Sequence, residues 1–352
     1  MPDIHAPENM TREESFLPER KGAADMKKAI AMLLVFASLM VLSAPAYATS
    51  AAHRETGDVY EAESMDISEW TLAGSFTKNE YDMYLETQNA LAGKWKGTGY
   101  ERKELSAIQS ASIEWVIQQR AERPEKELQA LGYSEEQISI LKEYDGGPLA
   151  QNPQLRGVFA DLTGRLYVRT AGSMTMSILF TWTWSNPPVL CGYAVTDIVT
   201  CAFSGTNNQN LPCNLVISEA GTSCTIIYYD WETGEFERTE HIEIGIINPK
   251  QHIEAKFAIG YEGKPYETTA WAKSGNLIVA VKEDKTVNNL YSTTFSIGYG
   301  HTVFTVSPSI SLSVGTAIGG GVGLSFGLGT ENMFYKHIRV LSDGSSQIYN
   351  GT

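Results

Sequence analysis

The sequence predicts an α+β protein, in which an acidic helical N-terminal region precedes a mainly antiparallel β domain built as a sandwich or an elongated sheet. Three observations predict it. Apolar residues recur at helical spacing between Glu101 and Tyr144, alternation takes over after Leu166, and turn residues then punctuate the chain at short intervals. The boundary between the two halves falls between residues 165 and 166.

In the first half, Leu105, Ile108, Ile113, Val116 and Ile117 lie near one helical face. Pro124 pre-sets the backbone angle for a helix over 125–131, which Gly132 stops. Ser134-Glu135-Glu136-Gln137 is a capping box, because the serine hydroxyl and the glutamine side chain can each satisfy the other residue's backbone N–H. Ile138, Leu141 and Tyr144 follow on or near one face. Residues 49–165 are read as this helical region and as a candidate pro-region.

In the second half, Met174–Ile178 and Phe180–Trp184 alternate, and Asn186-Pro187-Pro188 breaks the run. Cys224–Tyr229 leads through Glu232-Thr233-Gly234-Glu235 into a strand over 236–247, and Asn248-Pro249-Lys250 turns that strand into 251–261. Further strands are expected over 276–281 and 291–306.

Ahead of both halves, residues 26–48 read as a secretory signal peptide. Lys27 and Lys28 give the positive n-region, residues 29–42 the apolar stretch, and Ala46-Tyr47-Ala48 the small-x-small cleavage pattern. The apolar run is shorter than the roughly 20 residues of a spanning helix. Residues 1–25 are expected to be upstream leader rather than native protein, since Lys21-Gly22-Ala23 can be encoded as a ribosome-binding site just before Met26. The expected location is therefore secreted.

The chain carries 27 Lys and Arg against 41 Asp and Glu, a formal charge of −14. Such a balance disfavours nucleic acid as a partner, because phosphate binding rests on cationic side chains. The four cysteines, Cys191, Cys201, Cys213 and Cys224, are separated by nine, eleven and ten residues. Export and even number predict two disulfides stabilising a β domain over 166–352. The close cysteine pairs of a metal knuckle are missing from that spacing.

The segment 302–330 is uncharged. Ile310, Leu312, Val314 and Ile318 alternate with small residues, Gly319-Gly320-Gly321 follows, and Val322, Leu324, Phe326 and Leu328 alternate again. Folded at the glycines, this is a hairpin with one apolar and one small-residue face. A membrane-inserting β-hairpin needs that combination. A buried sandwich strand gives the same alternation, so both readings stand at this point.

Candidate chemistry is sparse. His241-Ile242-Glu243 and His252-Ile253-Glu254 each put a His and a Glu on one face of a strand, but the solvated face of a hairpin explains the same pattern without a metal. His301 continues the alternation of Phe295, Ile297 and Tyr299 and reads as a strand residue. There is no H-E-x-x-H and no phosphate-cradling glycine loop, and the expectation is a protein that is not an enzyme and takes no cofactor or metal. Trp182, Trp184, Tyr193, Phe203, Tyr228, Tyr229 and Trp231 are expected in the core, with a carbohydrate- or lipid-facing shelf as the alternative.

Two stretches carry a resemblance: Leu131–Ile138 running on to Tyr144-Asp145-Gly146, and Thr181–Pro188 with Thr196-Asp197-Ile198-Val199. They resemble exported proteins of Gram-positive spore-formers associated with large geobacillin-type bacteriocins. The resemblance implies a secreted antibacterial protein whose target is the envelope of related bacteria; insertion of the 310–328 hairpin would make the target-cell membrane its partner and a homo-oligomer on that membrane its acting form. The alternative is a secreted, non-enzymatic β-sandwich that binds at the cell surface or matrix.

Overall fold

The computed structural model describes residues 66–93, 113–171, 174–192, 195–246, 252–264, 267–284, 289–302, 310–313, 323–326 and 330–350. The leader and the signal peptide lie outside these residues. Those described belong to one compact unit, 57–352.

The first described element is a strand in a region expected to be mostly helical. β1 (Thr71–Asn79) contains Thr71, Thr77 and Phe76, residues that suit a pleated surface, and it alternates in exposure. Helices follow: α1 (Glu80–Gly93), α2 over 113–122, α3 (Glu125–Ala130) and α4 (Glu135–Glu143). Pro124 precedes α3, and Gly132 leaves it at φ +96°, a left-handed conformation that suits glycine. At α4 both halves of the capping box form: the Ser134 hydroxyl accepts from the Gln137 N–H at 3.2 Å and the Gln137 side chain accepts from the Ser134 N–H at 2.8 Å.

The remaining chain is mostly strand: β2 (Asp161–Thr170), β3 (Thr175–Trp184), β4 (Thr196–Asn207), β5 (Pro212–Cys213), β6 (Leu215–Ile217), β7 (Ser223–Asp230) and β8 (Phe236–Ile242). Then come β9 (Gly245–Ile246), β10 (His252–Ala258), β11 (Gly260–Lys264), β12 (Glu267–Glu283) and β13 (Leu290–Thr302). The last four are β14 (Ile310–Ser313), β15 (Gly323–Phe326), β16 (Thr330–Leu341) and β17 (Ser346–Asn350). The boundary expected at 165 thus falls inside β2, which pairs with β1 on one side and β3 on the other.

The strands form two antiparallel sheets. One runs β1-β2-β3-β12-β7-β8, with β6 and β11 also on β12; the other runs β17-β16-β13-β4-β10-β9, with β5 on β4. The chain changes sheet between β8 and β9. The strand expected over 236–247 is therefore two strands in different sheets, which places His241 and His252 apart.

The sheets face each other across aromatic rings. Phe180 of β3 stacks on Phe334 of β16 at 4.8 Å between centroids, and Trp182 lies 5.5 Å from Tyr299 and 5.8 Å from Phe257. Burying each such ring stabilises the fold by about 1.5–3 kcal/mol. Trp182 needs room, and its row provides it. Cross-strand neighbours run Phe76, Gly164, Trp182, Gly275, Ile226, so glycine flanks the indole on both sides. A Cβ on Gly275 would come within 2.5 Å of the Trp182 ring, and one on Gly164 within 2.8 Å of Phe180.

Helix α3 meets the first sheet at the β7–β8 turn. Asp230 Oδ1 accepts from the N–H groups of Glu232 and Thr233, and Gly234 (φ +70°) passes so near Ala130 that a Cβ would overlap that residue's carbonyl. Among the described residues no helix is long and apolar enough to cross a membrane.

Candidate functional site

One cluster gathers the titratable groups of the interior. Asn79 starts α1 by accepting from the Tyr81 N–H at 2.9 Å, while its amide donates to Asp161 at 2.9 Å. That geometry turns Glu80, the next residue, into the core. Asp197 enters from β4 and His301 from β13, both on faces that point between the sheets. All three are fully buried.

His301 lies between the two acids. Its Nδ1 is 2.9 Å from Asp197 Oδ2 and its Nε2 is 3.3 Å from Glu80 Oε1. The Tyr299 hydroxyl donates to Asp197 Oδ2 at 2.7 Å and the Thr302 N–H to Oδ1 at 2.9 Å. Glu80 Oε1 also accepts from Tyr84 at 3.0 Å and from the Val189 N–H at 2.8 Å, which leaves Oε2 buried with no partner among the described residues. Burial alone would push His301 down, but the charge and hydrogen bond of Asp197, helped by Glu80, raise it to about 10. Burial, reinforced by the neighbouring carboxylates, pushes Tyr84 and Tyr299 well above the ordinary phenol range.

Arg120 of α2 extends this centre. Its guanidinium donates to Tyr133 Oη at 2.7 Å, Pro187 O at 2.8 Å and Val189 O at 3.1 Å, and also to Pro188 O. It sits 5.5 Å from the Trp231 ring centre. Glu80 and Arg120 therefore grip the same short segment, 187–189, from two helices.

The imidazole between carboxylates has the look of a proton relay. Glu80, Asp197 and His301 are each fully buried, and among the described residues their partners are one another, tyrosine hydroxyls and backbone N–H groups. The arrangement suits a strut that joins β1–α1 to the second sheet. Its titration fixes a pH dependence. Unfolded histidine releases its proton near 6.5 and His301 near 10, so the stabilisation is complete below 6.5 and is lost as pH rises toward 10. His252 and His337, lowered by burial, act oppositely and withdraw stability as pH falls below 6.5. Unfolding midpoints in urea from pH 4 to 11 are expected to peak near neutrality. A profile that stays flat from pH 7 to 10 would contradict the protonated His301.

Two shallow grooves open on the described surface of the sandwich. The first, about 340 Å³, opens between β1 and β16, with Phe76, Phe180 and Phe334 as its apolar lining and Lys78 and Lys336 as its cations. Lys336 Nζ lies 5.1 Å from the Phe76 ring centre, and Lys78 pairs with Glu86 at 2.7 Å. The second, about 350 Å³, is lined by Tyr291, Arg339, Leu341, Ser345, Ser346 and Gln347 at one end of β13, β16 and β17.

No protein-family model matches the chain, and no curated protein matches it. Three solved structures share limited likeness. A collagen-binding domain from a Staphylococcus aureus adhesin is 11% identical, with 36% of this chain and 76% of that one covered, at a TM-score of 0.18. AvmM, which catalyzes macrocyclization in alchivemycin A biosynthesis, is 13% identical, with 51% and 85% covered, at a TM-score of 0.19. A structure of Streptococcus parasanguinis Fap1 fimbriae is 9% identical, with 54% and 80% covered, at a TM-score of 0.17. None reaches the similarity of a shared fold.

The residues singled out from sequence fall as follows. The two expected disulfides are not formed: none of Cys191, Cys201, Cys213 and Cys224 is bridged. Cys191 lies in a 3-10 turn 3.6 Å from Arg120, Cys213 is on short β5, and Cys201 and Cys224 sit on opposite sheets. Burial pushes the Cys224 thiol up to about 12 and raises Cys191 and Cys201 further. Alkylation of the native chain without reductant, read by mass spectrometry, is expected to modify half-buried Cys213 first and the other three only on denaturation. Masses lower by a pair of hydrogens and refractory to alkylation after unfolding would restore the bridged reading.

The hairpin candidates are partly described. β14 pairs with β15 as Ile310↔Phe326, Ser311↔Ser325, Leu312↔Leu324 and Ser313↔Gly323, apolar opposite apolar and small opposite small. Val314, Ile318, Val322 and Leu328 lie outside the described residues. Gly323-Leu324-Ser325-Phe326-Gly327 has the spacing of a hydrolase nucleophile elbow, yet 323–326 is strand, whereas an elbow needs a sharp strand-to-helix turn. His252 is buried rather than solvated, held by Thr200 Oγ1 at 2.6 Å, because the outward side of β4 and β10 is itself covered. Among the described residues no group of three His, Cys, Asp or Glu side chains could hold a metal. Trp182, Trp184, Phe203, Tyr228 and Trp231 are buried as expected, Tyr229 is half-buried, and Tyr193 is outside the described residues.

Sequence reasoning missed Glu80, Arg120 and Asp197. The signal for Asp197 and His301 was there: each is a single polar residue at an inward position of an apolar alternation. A buried charge in that setting requires partners.

Proposed function

We propose that this chain is an exported, non-enzymatic β-sandwich that binds a ligand at the cell surface or in the surrounding matrix. One contrast carries the reading. The acid–base cluster of Glu80, Asp197 and His301 is buried between the sheets, while the basic side chains of Lys78, Lys336 and Arg339 and the ring of Tyr291 line two shallow grooves open to solvent. Grooves of this size, with a few placed polar groups, suit recognition. The signal-peptide pattern at 26–48 supports export. The test is binding of the purified chain to immobilised cell-wall glycan, acidic and neutral oligosaccharides and matrix proteins. Saturable binding to one of these without turnover is expected. Absence of binding to all of them, or turnover of a bound ligand, would overturn the reading.

A second reading, an envelope-active antibacterial protein, rests on the apolar-to-apolar register of β14 and β15. In it the partner is the target-cell membrane and the acting species an oligomer. Dye release from liposomes of bacterial lipid separates the two: the binding module leaves vesicles intact.

A further inference from the structure

We propose that the groove at Tyr291 and Arg339 is a subsite for a sugar ring bearing a carboxylate, a uronic-acid unit of an acidic glycan; the proposal rests on the binding-module reading above. Arg339 of β16 is the cation of this groove, and among the described residues no carboxylate pairs with it, although the chain carries a formal charge of −14. An arginine in so acidic a chain has many potential partners. One whose described contact is a hydroxyl is placed to receive an anion from outside.

The guanidinium is also held in position. One Nη donates to Ser292 Oγ at 3.3 Å, and Ser292 Oγ is 2.8 Å from Thr206 Oγ1 on the neighbouring strand β4. A relay from β4 through β13 fixes the fork, so little side-chain freedom is lost when a ligand binds. A planar guanidinium offers two parallel N–H groups to a carboxylate, a match that a single ammonium cannot make.

The remaining lining suits a sugar. Tyr291 is 39% exposed, an amphipathic ring whose face can carry the C–H side of a pyranose. Ser346 and Gln347 on β17 are exposed and offer donors and acceptors for ring hydroxyls. Leu341 is the one aliphatic side chain of the groove, which argues against a lipid tail or an apolar peptide. A phosphodiester polymer also carries one charge per unit, so the preference for a uronic acid rests on Tyr291, Ser346 and Gln347, which suit a hydroxylated ring better than a glycerol chain.

The experiment is calorimetric titration of the full chain with a hyaluronan oligosaccharide, with its carboxylate methyl ester, and with polyglycerol phosphate. Binding of the free acid is expected, with the ester at least tenfold weaker and affinity falling as salt rises. Arg339→Gln should weaken the acid at least tenfold, Arg339→Lys should recover only part of that loss, and Tyr291→Ala should weaken both acid and ester. Thermal melts of each variant check that it folds. The subsite is overturned if acid and ester bind equally, if polyglycerol phosphate binds more tightly, if the acid does not bind, or if a folded Arg339→Gln binds as well as the parent. Binding of a neutral glycan or a matrix protein that Arg339→Gln leaves untouched overturns this subsite alone and keeps the binding-module reading. Failure of every ligand overturns both.

Discussion

Replacing His301 with leucine is expected to lower the unfolding free energy by about 3–5 kcal/mol, the cost of removing one partner from a buried ion group. The imidazole is the link between Asp197 and Glu80, and leucine returns no hydrogen bond to either. Two carboxylates would remain buried with only neutral donors: tyrosine hydroxyls and backbone N–H groups. The urea midpoint at pH 7 measures the loss. The control is Glu80→Gln combined with Asp197→Asn in the His301→Leu background, which removes both charges and should recover part of the stability. A single variant within about 1 kcal/mol of the parent would show that the centre is not an ionic strut.

Arg120→Met is the second large effect. Methionine approximates the arginine stem and fills the space against Trp231, so packing changes little while the donors vanish. Pro187, Pro188 and Val189 lose a charged donor to their carbonyls, and Tyr133 loses its acceptor role. Each unsatisfied buried group costs about 1–3 kcal/mol, and partial relaxation of the 187–189 segment brings the sum to about 3–5 kcal/mol. Hydrogen exchange distinguishes this from a general loss of packing. Protection should fall first at Val189–Gly192 and at the Tyr133 end of α3, and only later in β3 and β12. Uniform loss across both sheets would mean that Arg120 does not act through this segment.

What the sequence made legible was local or periodic. The capping box of α4 and the stop at Gly132 depend on residues within a few positions of one another, so they could be read directly. The alternation of Phe180, Trp182 and Trp184 likewise announced an inward aromatic face. β1 was missed because its alternation is shallow and its neighbours are acidic and helical. Its strand character comes from pairing with β2, whose partner residues lie some eighty to a hundred positions away. The cysteine expectation came from compartment and count, which describe redox chemistry and not distance. The second groove could not be read from sequence, because Tyr291, Arg339 and Gln347 become neighbours only through the pairing of β13, β16 and β17.

The contact between Glu80 and His301 spans 221 positions of the chain. A polypeptide emerging from a ribosome exposes Glu80 long before its partner exists, and the centre cannot close until β13 arrives. Closing so long a loop is entropically costly and comes before the contact that rewards it, which places this sandwich among the slower-folding topologies. The ion centre that locks the finished fold therefore lends the growing chain no stability until the two ends of that long loop have met.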